Sequence, residues 1–152
     1  MVATLEPILE KMRRKHLQIN EFKDILGMRI EVNNIQDIYN TVKKLEQLYG
    51  NKIIMKEDYI ANPKGIYVAY HMNVEYGPGI YSEIQIRTPL MDRIDNASHA
   101  ILYKNNVELD VETRQDIERV LNTYSAISLS KATPKDLKMI PKTKEILRRF
   151  GL

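Results

Sequence analysis

The chain has 152 residues, 43% hydrophobic and 28% charged, with a net charge of +3 and no cysteine. A length of this order suits one domain, which buries roughly 68–70% of its unfolded surface. The missing cysteines remove disulfides, thiolate metal ligands and a cysteine nucleophile together, and no apolar run approaches the ~20 residues of a membrane span or forms the core of a signal peptide, so a cytoplasmic protein without membrane contact is expected.

The charge is unevenly spread. From Lys131 onward seven lysines and arginines face only Asp136 and Glu145, about +5, which leaves the first 130 residues near −2. Residues 1–130 therefore read as the body of the domain and 131–152 as a basic helical segment of the same domain. That segment is a candidate for contact with phosphate, RNA or a ribosome, the plainer alternative being a solvated helix face.

In chain order, Leu5, Ile8, Leu9 and Met12 recur at helical spacing with Lys11, Arg13, Arg14 and Lys15 around them, which predicts an amphipathic helix over 5–17 with a basic face. Residues 27–32 alternate as a short strand. Asn34 then caps a helix whose stripe is Ile35, Ile38, Val42, Leu45 and Leu48, and Gly50 ends it. Ile53-Ile54-Met55 is a second strand, and Asp58 to Gly65 is a loop because of Asn62-Pro63-Lys64-Gly65.

Residues 66–75 and 80–88 alternate around Gly77-Pro78-Gly79 and predict a hairpin. Tyr67, Ala69, His71 and Asn73 would share one face of the first strand, and Tyr81, Glu83, Gln85 and Arg87 one face of the second. A three-residue loop sets Tyr76 against Ile80, hence His71 against Gln85 and Asn73 against Glu83, so the two polar faces merge. An aromatic ring, an imidazole, a carboxylate and a guanidinium in one patch mark a site, whereas a covered polar sheet face would be the structural alternative. Helices are expected over 89–105 after Pro89, over 110–128 from Asp110, and over 135–149 with a break or kink near Pro141.

Lys23-Asp24-Ile25-Leu26-Gly27-Met28-Arg29-Ile30, then Asp58-Tyr59-Ile60-Ala61-Asn62-Pro63-Lys64 leading to Tyr67 and His71, then Glu83-Ile84-Gln85-Ile86-Arg87-Thr88, then His99 with Tyr103-Lys104 resemble, in order and nearly in spacing, the successive blocks of RelA/SpoT synthetase domains. The resemblance covers roughly residues 7–104. It implies an α/β (α+β) fold of nucleotidyltransferase-like architecture, with a mixed, largely antiparallel sheet flanked by helices. It also implies an enzyme that transfers pyrophosphate from ATP to the 3′-hydroxyl of GDP or GTP to make the alarmone (p)ppGpp.

By motif position the resemblance assigns Asp24 and Glu83 to Mg²⁺ and catalysis, which suits a cation that takes one or two carboxylates plus substrate oxygens. Tyr67 matches the tyrosine that stacks on guanine, Lys64 and His71 match positions near the acceptor phosphates, and Gln85 is grouped with them. Arg29 and Arg87 are candidates for phosphate contact or for bracing the carboxylates, and His99 matches a histidine of the following helix. The implied partners are ATP and GDP or GTP, with a homo-oligomer left open.

The chain also departs from the family pattern. The Arg-x-Lys pair that grips ATP falls on Met1 and Ala3, two serines are replaced by Pro7 and Ala69, and the loop before Tyr67 is one residue shorter, with Gly65-Ile66 where Asn-Gly is usual. Lys11, Arg14 and Lys15, at i, i+3 and i+4, are the substitutes available for ATP. Two functions follow: an active synthetase, or a degenerate one that binds guanine nucleotide or RNA without turnover. A hydrolase of the longer relatives' kind is not expected, because the three histidines form no paired His-Asp metal motif.

Overall fold

The structure is a computed structural model that describes residues 26–104, 108–130 and 137–152. The helix expected over 5–17, and with it Lys11, Arg14, Lys15 and Asp24, lies outside the described residues. The described chain forms two compact units, one of residues 26–58 with 70–87, the other of 59–69 with the segments from 88 onward.

The first unit is a four-stranded sheet. β1 (Leu26–Glu31), β2 (Ile53–Asp58), β3 (Tyr70–Gly77) and β4 (Ile80–Arg87) lie in the order β1-β4-β3-β2, with β1 parallel to β4 and the other two pairings antiparallel. The sheet is thus mixed and largely antiparallel, as expected. Between β1 and β2 runs α1 (Ile35–Tyr49), which packs on β4. Asn34 caps it, its side-chain oxygen accepting from the Asp37 backbone N–H at 2.9 Å, and Gly50 closes it at φ +52°, a conformation that suits glycine. Ile38 and Val42 are buried with Met72, Val74, Ile84 and Ile86, giving a core on one face of the hairpin. Leu48, expected in the same stripe, is 70% exposed.

The hairpin pairs His71 with Gln85 and Asn73 with Glu83 as the alternation predicts, but Tyr76 does not oppose Ile80. Gly77 does, and the register shifts between Glu75 and Gly77, so Tyr76 is the extra residue of a bulge. The connection is the two-residue Pro78-Gly79, with Gly79 at φ +76°, the Pro-Gly order of a type II turn. One bulged residue and a two-residue turn displace the strands as far as a three-residue loop would.

A second correction concerns where β3 begins. The alternation from Ile66 is not a strand until Tyr70, so Tyr67 and the buried Ala69 do not share a sheet face with His71. The Ile66 carbonyl accepts from Ser125 Oγ at 2.8 Å and the Ala69 carbonyl from the Tyr59 N–H at 3.0 Å, so these backbone groups are satisfied within the second unit.

That unit contains the 59–69 loop, α2 (Pro89–Ser98), α3 (Val111–Ser128) and α4 (Pro141–Arg148). Thr88 caps α2 with Pro89 in its first turn, and Asp110 caps α3, its carboxylate accepting from the Thr113 N–H at 2.8 Å. Ile94, Ile101, Ile117, Leu121 and Leu147 lie in its buried core. The helix expected over 89–105 stops at Ser98 and widens into a π-helical turn over His99–Tyr103, where the Lys104 N–H reaches the His99 carbonyl at 3.0 Å. Pro141 does not kink a longer helix: it opens α4, where a missing N–H costs nothing. No helix among the described residues is long and apolar enough to cross a membrane.

Candidate active site

In the first unit, alternate residues of three strands share one polar face. β1 contributes Gly27, Arg29 and Glu31, each paired in register with Glu83, Gln85 and Arg87 of β4, while β3 sets His71 beside Gln85 and Asn73 beside Glu83. Along β4 the side chains at i, i+2 and i+4 are joined. Arg87 Nη2 donates to Gln85 Oε1, and Gln85 Nε2 donates to Glu83 Oε1 at 2.6 Å. His71 Nδ1 lies 3.8 Å from the same Glu83 oxygen.

These partners fix the Gln85 amide, since a guanidinium only donates and a carboxylate only accepts. Arg87 is 1% exposed, and its buried charge is directed along the strand through a neutral amide to a partly exposed carboxylate. Next to Glu83 on β1 stands Gly27, where an added Cβ would meet nothing within 4 Å. Among the described residues, therefore, nothing occupies the space that a side chain at position 27 would take.

The second unit holds the other predicted group. Lys64 and Tyr67 form an isolated antiparallel bridge, exchanging N–H···O bonds of 3.2 and 3.1 Å. The Tyr59 ring meets the Tyr67 ring edge-to-face at 5.7 Å between centroids, and Lys64 Nζ stands 5.5 Å from the Tyr59 centroid. His99, 60% exposed at its side chain, approaches Asp95 Oδ1 at 3.7 Å and packs against the Tyr103 ring.

The structure thus brings together His71, Glu83, Gln85 and Arg87, with Arg29 opposite Gln85, and separately Lys64 with Tyr67. Asp24 lies outside the described residues, so its relation to Glu83 stays an expectation. Two features escaped the sequence reading. Tyr59 was visible only as part of the Asp58-Tyr59-Ile60 block, and Tyr39 was invisible: its hydroxyl donates to Asp58 Oδ2 at 3.0 Å and its ring meets Tyr70 edge-on. Burial first, then that bond to a carboxylate, push the Tyr39 hydroxyl up to about 12.

A family model described as a region found in RelA / SpoT proteins matches residues 2–108. The GTP pyrophosphokinase YwaC of Bacillus subtilis (strain 168) is 34% identical over 131 residues, which cover 77% of this chain and 62% of that protein; this chain spans less than two thirds of that relative. Among solved structures, the small alarmone synthetase 2 from Bacillus subtilis aligns with a TM-score of 0.65 at 32% identity, over 84% of this chain and 71% of that one. Small alarmone synthetase 1 from the same organism, bound to its product pppGpp, aligns with a TM-score of 0.62 at 29% identity, over 84% and 69%.

Proposed function

The chain belongs to the RelA/SpoT family, and on that footing we propose that it is a pyrophosphokinase that transfers the β,γ-pyrophosphoryl group of ATP to the 3′-hydroxyl of GDP or GTP. The observation that carries this reading is the Arg87–Gln85–Glu83 ladder with His71 beside it, on a sheet face where β1 sets Gly27 rather than a side chain against Glu83. The acceptor oxygen forms a bond to the β-phosphorus, the bond from that phosphorus to the oxygen bridging to the α-phosphate breaks, and AMP leaves. Glu83 accepts the hydroxyl proton, held in place by Gln85 and Arg87. Lys64 binds acceptor phosphate, Tyr67 stacks on the purine, and His71 serves the acceptor nucleotide beside Glu83. Lys11, Arg14 and Lys15 serve ATP, with Arg29 as a further cation.

Glu83 suits Mg²⁺ as one of the one or two carboxylates that such an ion takes, the remaining positions being left to Asp24 and substrate oxygens. A cation of this kind would be shared with the substrate, one or two carboxylates from the protein and the rest of its oxygens from the phosphates. When bound, Mg²⁺ supplies neutralisation of the phosphate charge that otherwise repels an attacking oxygen.

Incubation with Mg²⁺, labelled ATP and each purine nucleotide in turn tests the proposal by label transfer and AMP release. Transfer to GDP or GTP is the expected result. Tight guanine-nucleotide binding with no AMP release would assign the chain to the non-catalytic alternative instead.

A further inference from the structure

The Asp58-Tyr59-Ile60 block contains an aromatic residue to which the proposed chemistry gives no task. Tyr59 is half-buried and its ring touches both loop residues assigned to the acceptor nucleotide, Lys64 through its ammonium and Tyr67 through its ring. Its backbone N–H closes the neck of the same loop on the Ala69 carbonyl at 3.0 Å, while Lys64 and Tyr67 are tied to each other by two backbone hydrogen bonds. We propose that Tyr59 is a positioning residue, whose ring sets the Lys64 ammonium and the Tyr67 ring in the arrangement that receives the phosphate and base of a guanine nucleotide; this rests on the acceptor assignment made above.

The geometry suits that task. An edge-to-face contact engages at most one face of the Tyr67 ring, so a purine stack on that ring remains compatible with it. A lysine above an aromatic ring keeps its charge but loses much of the freedom of a four-carbon stem, and ordering it before the ligand arrives removes an entropy cost that binding would otherwise bear. Gly65 at φ +63°, between Lys64 and Ile66, lets the chain turn sharply enough to bring residues 64 and 67 into register.

The test compares Tyr59→Phe, which keeps the ring, with Tyr59→Leu, which removes it, and with Tyr59→Met should the leucine variant fail to fold. Affinity for GDP and for ATP is measured by calorimetry, and hydrogen exchange is followed at the Lys64 and Tyr67 amides without nucleotide. In Tyr59→Leu we expect GDP affinity to fall on the order of tenfold, ATP affinity to hold, and both amides to exchange faster. Tyr59→Phe should leave all three readings at their wild-type values. Unchanged exchange and unchanged GDP affinity in a folded Tyr59→Leu protein would overturn the positioning role. A wild-type protein that binds neither GDP nor GTP overturns the acceptor assignment itself, and with it the link to Tyr59, whatever the exchange data show.

Discussion

Gln85 Nε2 donates to Glu83 Oε1 at 2.6 Å from two residues further along the same strand, while Gln85 Oε1 accepts from the buried Arg87. Both ends of the amide are thus committed to neighbours within β4. In the proposed mechanism Gln85 therefore orients the carboxylate, beyond its grouping with the guanine-nucleotide residues. Gln85→Leu leaves the Arg87 guanidinium and the Glu83 carboxylate without that bridge. With hydrogen bonds to charged groups worth about 1.5–3 kcal/mol, turnover should fall roughly 10- to 150-fold. The KM for GDP should change little, and steady-state kinetics with saturating ATP will show whether the loss falls on kcat.

Tyr39 ties the end of β2 to α1. Its hydroxyl is pushed up to about 12 from an ordinary value near 10, by burial and by the Asp58 carboxylate. Between those values the native state holds a proton that the unfolded chain has lost, so stability is complete below about pH 10 and declines as pH rises toward 12. Tyr39→Phe should flatten that alkaline decline while leaving the ring contact to Tyr70 in place. Denaturant unfolding at a series of pH values from 8 to 12 measures it, and equal slopes in both proteins would count against the assignment.

How legible each feature was depended on how local its cause is. The caps at Asn34 and Asp110 and the glycine stop at Gly50 were readable, because a cap is a bond between residues three apart. The pairing of His71 with Gln85 followed from alternation, although the bulge at Tyr76 was hidden: a three-residue loop and a bulge with a two-residue turn give the same offset. The extent of β3 was misread, since what keeps 66–69 out of the sheet is a bond from Ser125, 59 residues away, and one from Tyr59. For the same reason the pattern showed Glu83, Gln85 and Arg87 on one face but not that they are joined, and gave no sign that Tyr59 touches two site residues.

Asp110 carries a prediction on the acid side. Lys142 Nζ at 2.6 Å, and then Thr113 through its N–H and hydroxyl, hold the Asp110 carboxyl well below the usual carboxylate range. A depressed value means that the folded state gives up its proton before the unfolded one does. The contribution is therefore present above about pH 4 and fades as pH falls toward the folded value. Asp110→Asn keeps an N-cap but loses the charge pairing, so it should melt lower at pH 7 and approach the wild type as the pH is lowered toward 2. Thermal melts at both ends of that range decide it, and a gap that stays constant with pH would refute the role of the charge.

Donor and acceptor functions should separate by mutation, because the residues assigned to them have different chemistry. On the acceptor side, Tyr67→Ala removes a stacking ring, a loss of about 1–3 kcal/mol, so GDP or GTP affinity should fall roughly 5- to 150-fold. Tyr67→Phe keeps the π-face and should bind nearly as the wild type does. On the donor side, Met1 and Ala3 stand where relatives are expected to carry Arg-x-Lys, and a triphosphate leaving water needs several cationic partners. If Lys11 and Arg14 supply them, the double replacement by alanine removes two charge-assisted contacts at about 1.5–3 kcal/mol each. ATP-dependent transfer should then be abolished while GDP affinity is spared. For the unaltered protein, guanine-nucleotide binding should be tighter than ATP binding, since the donor grip lacks its usual pair. Calorimetry with each nucleotide on the three variants gives the full pattern. ATP affinity equal to that for GTP, and indifferent to the Lys11 and Arg14 replacements, would move the donor site away from the segment that carries Lys11 and Arg14.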